Sequence, residues 1–287
     1  MIQTLQRTEN RVNFAHLLER IGVARPYFAL QDVYYLPEED RLTALAAPEL
    51  PFGFERGPMT CGDIGRHGAI AGLAAVALGR EAQRHFYLAT KAEYRALGQP
   101  YAPSPLTFDV KVTQRQRRRA AVQIGIYRGE VRVADLSVDY VVLSKAAFGG
   151  FLRPALKDTF GTADLDAVPR FDQEAGEAPY DATLTGTLER TETEAVFKTV
   201  IPVSVGRGHF DVAPALPVAV TFAQFSNLVG ALLERPFRTV HAGIEASDFV
   251  LAGAEATFRA VRRGQGRFDC DVVSNGKVKS AAYLEVI

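Results

Sequence analysis

The chain has 287 residues, 33 of them basic and 33 acidic, with 47% hydrophobic content. That length allows two domains of ordinary size or one large one, and the apolar content excludes a disordered chain. A formal net charge of zero gives no general pull toward nucleic acid or an anionic membrane surface. The two cysteines, Cys61 and Cys270, form no CxxC pair, so neither a disulfide framework nor a metal knuckle is implied and a cytoplasmic setting is expected. Met1 is followed by polar residues, without the pattern of a signal peptide. No uncharged apolar run approaches the roughly 20 residues that cross a bilayer.

From the N-terminus, Phe14, Leu17, Leu18 and Ile21 recur at helical spacing, and Gly22 is a natural stop. His16, within this helix, reads as a surface or packing residue. Two strands are expected at Tyr27–Tyr35 and Arg41–Ala46, joined by a turn at Pro37–Asp40. Residues 57–81, GPMTCGDIGRHGAIAGLAAVALGRE, are mostly apolar but interrupted by Gly62, Gly65, Gly68 and Gly72. Each such glycine costs about 1 kcal/mol against alanine in a helix. A helix here therefore requires packing inside a sheet, where glycines let strands come close. Strands follow at Phe86–Tyr94, Leu106–Arg115, Ala120–Tyr127 and Arg132–Val142.

Residues 145–182 read as irregular, with prolines, glycines and acidic residues typical of a surface linker. Strands resume at Thr183–Glu189 and Ala195–Val205. Residues 207–233, RGHFDVAPALPVAVTFAQFSNLVGALL, then carry His209 in a polar stretch with Pro214 and Pro217, followed by an uncharged segment from Val218 to Leu233. Such a segment reads as a helix buried all round, with proline at its start. Thr239–Ile244 and Phe249 onward, Ala254–Arg262, Arg267–Val273 and Val278–Val286 repeat the strand order of the first half. Asn275-Gly276 marks the last hairpin. Strands, an apolar helix and a meander thus occur twice, the signature of a duplicated domain.

The pattern His209-Phe210, Pro214, Pro217 and a buried helix resembles the 3-hydroxyacyl-acyl-carrier-protein dehydratases, within a wider thioesterase-like superfamily. Resemblance extends over residues 25–144 and 185–287. It implies an α+β double hotdog, in which two curved antiparallel sheets each wrap a long central helix and pack as a pseudo-dimer. An N-terminal hotdog would occupy residues 1–150, a linker 151–182 and a C-terminal hotdog 183–287. The family's acid position at the start of the helix falls on Ala223 in the second half. The first half has D-x-x-x-H, Asp63 and His67, at its own helix start and no histidine before it. Each half keeps what the other has lost, so the resemblance implies one composite site with His209 as base and Asp63 as acid. Dehydration needs both, one for the α-proton and one for the leaving hydroxyl. A helix N-terminus favours the carboxylate by roughly 0.3–1 kcal/mol, whereas burial raises a carboxyl pKa by up to several units. In a dry tunnel burial wins and Asp63 holds a proton.

His67 is expected at the site, and Gly62, Phe210, Pro217, Val218 and Asn227 around the substrate. The family's glycines after the histidine and at the helix start are here Val212 and Val218, with Gly62 as the nearest substitute. Simpler roles exist for the same residues: a helix cap for Asp63, a core position for His67, a packing thiol for Cys61. Arg117, Arg119 and Arg263 lie at corresponding strand ends. They read either as a solvated face or as a dock for an acyl carrier protein or coenzyme A thioester. No cofactor or metal is implied, because the substrate would arrive on phosphopantetheine. A homodimer is one assembly the fold allows. Two other function classes compete on this fold: a thioesterase or acyltransferase/decarboxylase, and a non-catalytic acyl-binding partner.

Overall fold

The computed structural model describes residues 10–81, 83–98, 102–164, 180–209 and 214–287. In chain order the elements are α1 (Phe14–Ile21), β1 (Gln31–Leu36), β2 (Arg41–Ala46), α2 (Cys61–Leu78), β3 (Phe86–Ala96), β4 (Leu106–Arg115), β5 (Arg119–Arg128), β6 (Val131–Leu143), α3 (Lys145–Phe160), β7 (Gly186–Arg190), β8 (Glu194–Val200), α4 (Val218–Leu233), β9 (Thr239–Ala246), β10 (Glu255–Gly264), β11 (Arg267–Ser274) and β12 (Lys277–Val286).

The strands form one 12-stranded sheet in the order β1-β2-β4-β5-β6-β3-β9-β12-β11-β10-β8-β7. Read outward from β3–β9, the two sides repeat: β3, β6, β5, β4, β2, β1 against β9, β12, β11, β10, β8, β7. Each half is two strands, a buried helix, one strand and a three-stranded meander. The repeat seen in the sequence is therefore a repeat in space, and the sheet is continuous across the junction. This is the double hotdog.

Helices α2 and α4 lie inside the sheet. Thr60 caps α2 by accepting the Asp63 N–H at 3.1 Å, and burial does the rest. Gly68 and Gly72 are seats for the sheet. A Cβ on Gly68 would stand 2.3 Å from Leu136 Cδ2, and one on Gly72 would stand 2.3 Å from Tyr140 Oη. Close approach of strand to helix thus accounts for glycines that would otherwise weaken α2. Helix α4 starts at Pro217, with no side chain capping it. Helix α1 is capped by Asn13, which accepts the Ala15 N–H, and ends at Gly22 in the left-handed region. His16 is exposed on its surface.

Four stretches differ from the sequence expectation. Residues 145–160 form α3, capped by Ser144 and closed by Gly161; Pro154 and the paired glycines within it masked its pattern. It packs on the outer side of the sheet, with Phe148 stacked on Phe86 at 4.2 Å. Strand β8 stops at Val200 because Pro202 offers no N–H, and a short 3-10 turn follows at Val203–Gly206. Residues 27–30 precede β1 instead of belonging to it. Finally, β9 ends at Ala246, and residues 247–250 leave the sheet. The β3–β9 pairing runs only from Lys91↔Glu245 to Arg95↔His241. Residues 86–90 of β3 therefore face a gap at the junction.

Candidate active site

A cavity of about 160 Å³ lies between α2, α4 and the joining strands, against the ~10–15 Å³ that one water requires. Helix α2 presents Cys61, Gly65, Ala69 and Leu73 to it, spaced by four on one face, with Ile70 beside them; α4 presents Val218, Ala219, Thr221 and Phe222. The cavity reaches the surface through the gap, between Leu88–Thr90 and residues 246–250, with Phe151 of α3 beside the opening. Asp248 at this rim is paired with the buried Lys279.

His209 is on the cavity wall. Its backbone is fixed by an antiparallel bridge to Val23 and by the Ala24 N–H, which donates to the Gly208 carbonyl at 2.8 Å. Gly208 sits at φ +77°, and a Cβ there would stand 2.4 Å from the Ala24 carbonyl oxygen, so only glycine fits. The imidazole meets the Tyr27 ring edge-on at 4.8 Å. Burial pushes its pKa down to about 4, with a hydrogen bond to the Ala215 backbone acting the other way. At neutral pH this is an uncharged base in an apolar wall.

Asp63 is elsewhere. It is fully buried, and its Oδ2 accepts the backbone N–H groups of Glu49 at 2.9 Å and Leu50 at 2.7 Å. Its Oδ1 lies 3.8 Å from His67 Nε2 and 3.9 Å from Arg66 Nη1. Burial raises its pKa to about 6, against the pull of the two backbone donors and Arg66. His67 is wholly buried, its pKa lowered to about 3 by burial and by Arg66. Neither Asp63 nor His67 belongs to the cavity wall. The face of α2 that carries them points to the 47–50 loop and the Phe108 side of the core.

Of the other expected contacts, Val218 lines the cavity and Pro217 is the N-cap that positions it. Gly62 is a helix-packing residue instead: a Cβ there would stand 2.9 Å from Ala223 Cβ and 3.2 Å from Leu50 Cδ1. The acid position of the second half, Ala223, is thus packed against Gly62. Asn227 is exposed and donates to Gln224 at 3.5 Å, away from the cavity. Phe210 lies outside the described residues. Arg119 pairs with Val141, and Val141 with Leu88 at the opening; Arg117 is exposed beside it. Arg263 is at the opposite end of the strands, in ion pair with Asp269 at 2.8 Å. There the neighbouring row runs from Arg262 through Phe268, Leu284 and Ala242 to Tyr94.

Three site residues escaped the sequence reading. Tyr27 is the side chain that meets His209. Arg66, fully buried, holds the Pro26–Tyr27 segment. Its Nε and Nη2 donate to the Tyr27 carbonyl at 2.9 and 2.7 Å, Nη2 also to the Pro26 carbonyl at 2.9 Å, and Nη1 to Glu49 at 2.6 Å. The guanidinium also lies over the Tyr27 and Tyr180 rings, 5.1 and 4.4 Å from their centres. Glu55, buried as well, ties the halves together. It accepts the Cys61 N–H at 3.1 Å, Ser226 Oγ at 2.7 Å and Thr239 Oγ1 at 2.8 Å. Burial raises its pKa despite these donors. The usable signal was charge set within apolar stretches, Glu55 next to Arg56 and Arg66 three residues after Asp63, since a charge that cannot reach water must find partners.

Among the described residues, no three His, Cys, Asp or Glu side chains come together as a metal site. No helix of the described residues is long and apolar enough to cross a membrane. No known protein family matches the chain in sequence, and no curated protein does so. Solved structures do match in shape. An acyl-ACP thioesterase from Bacteroides thetaiotaomicron aligns over 88% of this chain and 100% of its own, at TM-score 0.55 and 12% identity. The 12:0-ACP thioesterase from Umbellularia californica aligns over 86% of this chain and 97% of its own, at TM-score 0.52 and 10% identity. At such identities the likeness is one of fold, and it agrees with the strand order and the paired inner helices: this chain has the double-hotdog fold.

Proposed function

We propose that this chain hydrolyses acyl thioesters. The observation that carries the reading is the cavity at the junction of the two halves, apolar within, open at one rim, with neutral His209 on its wall beside the start of α4. An apolar cavity with few polar groups suits an acyl chain whose polar end sits near those groups. His209 takes a proton from water as the water oxygen bonds to the thioester carbon. The first N–H groups of α4 have no intrahelical partner, and Val218 and Ala219 line the cavity. They would stabilise the oxyanion, the largest single contribution in many acyl transfers. Collapse breaks the C–S bond, and the imidazolium returns its proton to the thiolate sulfur. This needs water and no cofactor. The two thioesterases of similar shape support the choice of thioester as substrate.

Dehydration is the second reading, favoured by the His209–proline pattern. It requires an acid facing His209 across the cavity, and the Asp63 carboxylate is committed to the 49–50 backbone outside it. Turnover of an acyl thioester and of a 3-hydroxyacyl thioester, measured with the same preparation, separates the two. Release of free thiol supports hydrolysis, and formation of the 2-enoyl product without thiol release overturns it.

The carrier would dock at the rim. Arg117 and Arg119 flank the open end of the sheet, and α3 adds Lys145, Arg153 and Lys157 beside it. An acidic carrier protein meets this face with complementary charge. Reversing both arginines, Arg117→Glu with Arg119→Glu, is expected to weaken acyl-carrier-protein binding several-fold and to flatten its salt dependence, since exposed pairs contribute about 0.2–1 kcal/mol each. Titration at two ionic strengths reads this. Unchanged binding assigns these arginines to a solvated face.

A further inference from the structure

Successive residues of β3, from Tyr87 to Thr90, line the cavity without a break. Side chains alternate between the two faces of a strand, so an unbroken run touches the cavity through the strand's edge, which is its backbone. Strand β9 has left the sheet here, and the β3–β9 pairing starts only at Lys91. On the β6 side, Leu88 and Ala89 face Val141 and Tyr140, and the register then slips between Ala89 and Lys91. Thr90 is thus the extra residue of a bulge, opposite no residue of β6 and none of β9. Antiparallel strands turn the N–H and C=O of alternate residues to opposite sides, so part of the 88–90 backbone is aimed into the gap. Among the described residues, no backbone group outside the strand pairing bonds to Leu88, Ala89 or Thr90. The opposite bank is engaged. The Ser247 and Asp248 N–H groups donate to the Lys279 carbonyl at 2.9 and 3.3 Å, and the Phe249 N–H donates to Asp248 Oδ1 at 2.8 Å. The Val250 carbonyl accepts the Leu216 N–H at 2.8 Å. Of the two banks, β3 is the one with main-chain donors and acceptors to offer, at a place where Leu88 is buried and an unpaired backbone group is costly.

We propose that this edge of β3 seats a pantetheine arm, whose amides add to the strand while the thioester enters the cavity. The proposal rests on the acyl-thioester reading and gives that substrate its point of attachment. An open strand edge takes extended chains that carry amides, and pantetheine is such a chain, shared by coenzyme A and acyl carrier proteins. Charge fits the same placement. Leu88 pairs with Val141, and Val141 with Arg119, so a phosphate at the outer end of the arm has the exposed arginines 117–119 beside it.

S-octyl pantetheine, a thioether with no bond to hydrolyse, tests this on the wild-type chain. Amide hydrogen exchange across residues 87–91 is expected to slow when it binds, because gap-facing N–H groups gain acceptors. In calorimetric titration, an analogue with a methylene in place of each amide N–H is expected to bind about 2- to 12-fold more weakly for each hydrogen bond lost. The octyl thioethers of coenzyme A and of a carrier protein, titrated in parallel, separate the two sources of the arm: each is expected to protect 87–91, and the tighter one names the source. Bound thioether with exchange at 87–91 unchanged, or equal affinity for the methylene analogue, overturns the proposal. Binding of a fatty acid with no gain from the arm sinks this proposal alone, whereas a chain that binds neither fatty acid nor thioether sinks the acyl-thioester reading with it.

Discussion

His209→Ala is expected to lower kcat/KM for an acyl thioester by about 10²–10⁴-fold, the usual contribution of a general base, with thermal unfolding little changed. The side chain lines the cavity, is buried among apolar neighbours, and is uncharged at neutral pH. The pH profile carries a second, independent signature. Burial holds the imidazole pKa at about 4 instead of the ordinary 6.5, so the neutral base survives as pH falls from 7 to 5. The acid limb of kcat/KM should therefore appear near pH 4. The same depression makes the unfolded chain the better proton acceptor. Stability associated with His209 is complete above about pH 6.5 and is lost as pH falls toward 4. Circular dichroism over that range distinguishes loss of base from loss of fold. Asp63→Asn is the companion measurement. An asparagine oxygen can still accept the Glu49 and Leu50 N–H groups, so hydrolysis is expected to stay within several-fold of wild type. A loss as large as that of His209→Ala would put Asp63 back into the chemistry and revive the dehydratase reading.

These two residues also mark where sequence reasoning ends. The strands Arg41–Ala46 and Leu106–Arg115 and the helix Val218–Leu233 were legible because period and turn residues specify them locally. The duplication was legible because the order of elements repeats, and the structure carries it into a strand order that mirrors about β3–β9. The pairing of His209 with Asp63 rested on alignment of two helix starts. Alignment gives a position along a helix but not the face a side chain takes, and α2 turns 100° per residue. Cys61, Gly65 and Ala69 face the cavity, so Asp63, two residues past Cys61, points nearly the opposite way. The gap in the sheet was hidden for a similar reason. Phe249 and Val250 have strand-like character, yet they leave the sheet to meet α3 and residues 214–216, a tertiary outcome with no local signal.

Arg66→Met is expected to destabilise the fold by about 3–5 kcal/mol, the cost of removing one partner from a buried ionic cluster. Against a total stability of about 5–15 kcal/mol, that is a fall in Tm of order 10 °C, readable by thermal or urea unfolding. The guanidinium is fully buried and satisfies the carbonyls of Pro26 and Tyr27 together with Glu49. Methionine fills much of the volume but donates nothing, leaving the Tyr27 carbonyl buried and unpaired while the exposed Glu49 carboxylate keeps its water. Arg66→Lys keeps the charge yet cannot reach two carbonyls and a carboxylate with one planar fork, so it should fall between wild type and methionine. Catalysis is expected to drop in both, because the segment that Arg66 fastens carries Tyr27 to the His209 ring. Glu49→Gln provides the control. With the carboxylate neutralised, the loss of Arg66 leaves less uncompensated charge, so the double variant should cost less than the sum of the singles by about 0.5–3 kcal/mol. Strict additivity would mean that Arg66 holds the fold through its backbone acceptors and ring contacts alone, and that the 2.6 Å ion pair with Glu49 contributes nothing of its own.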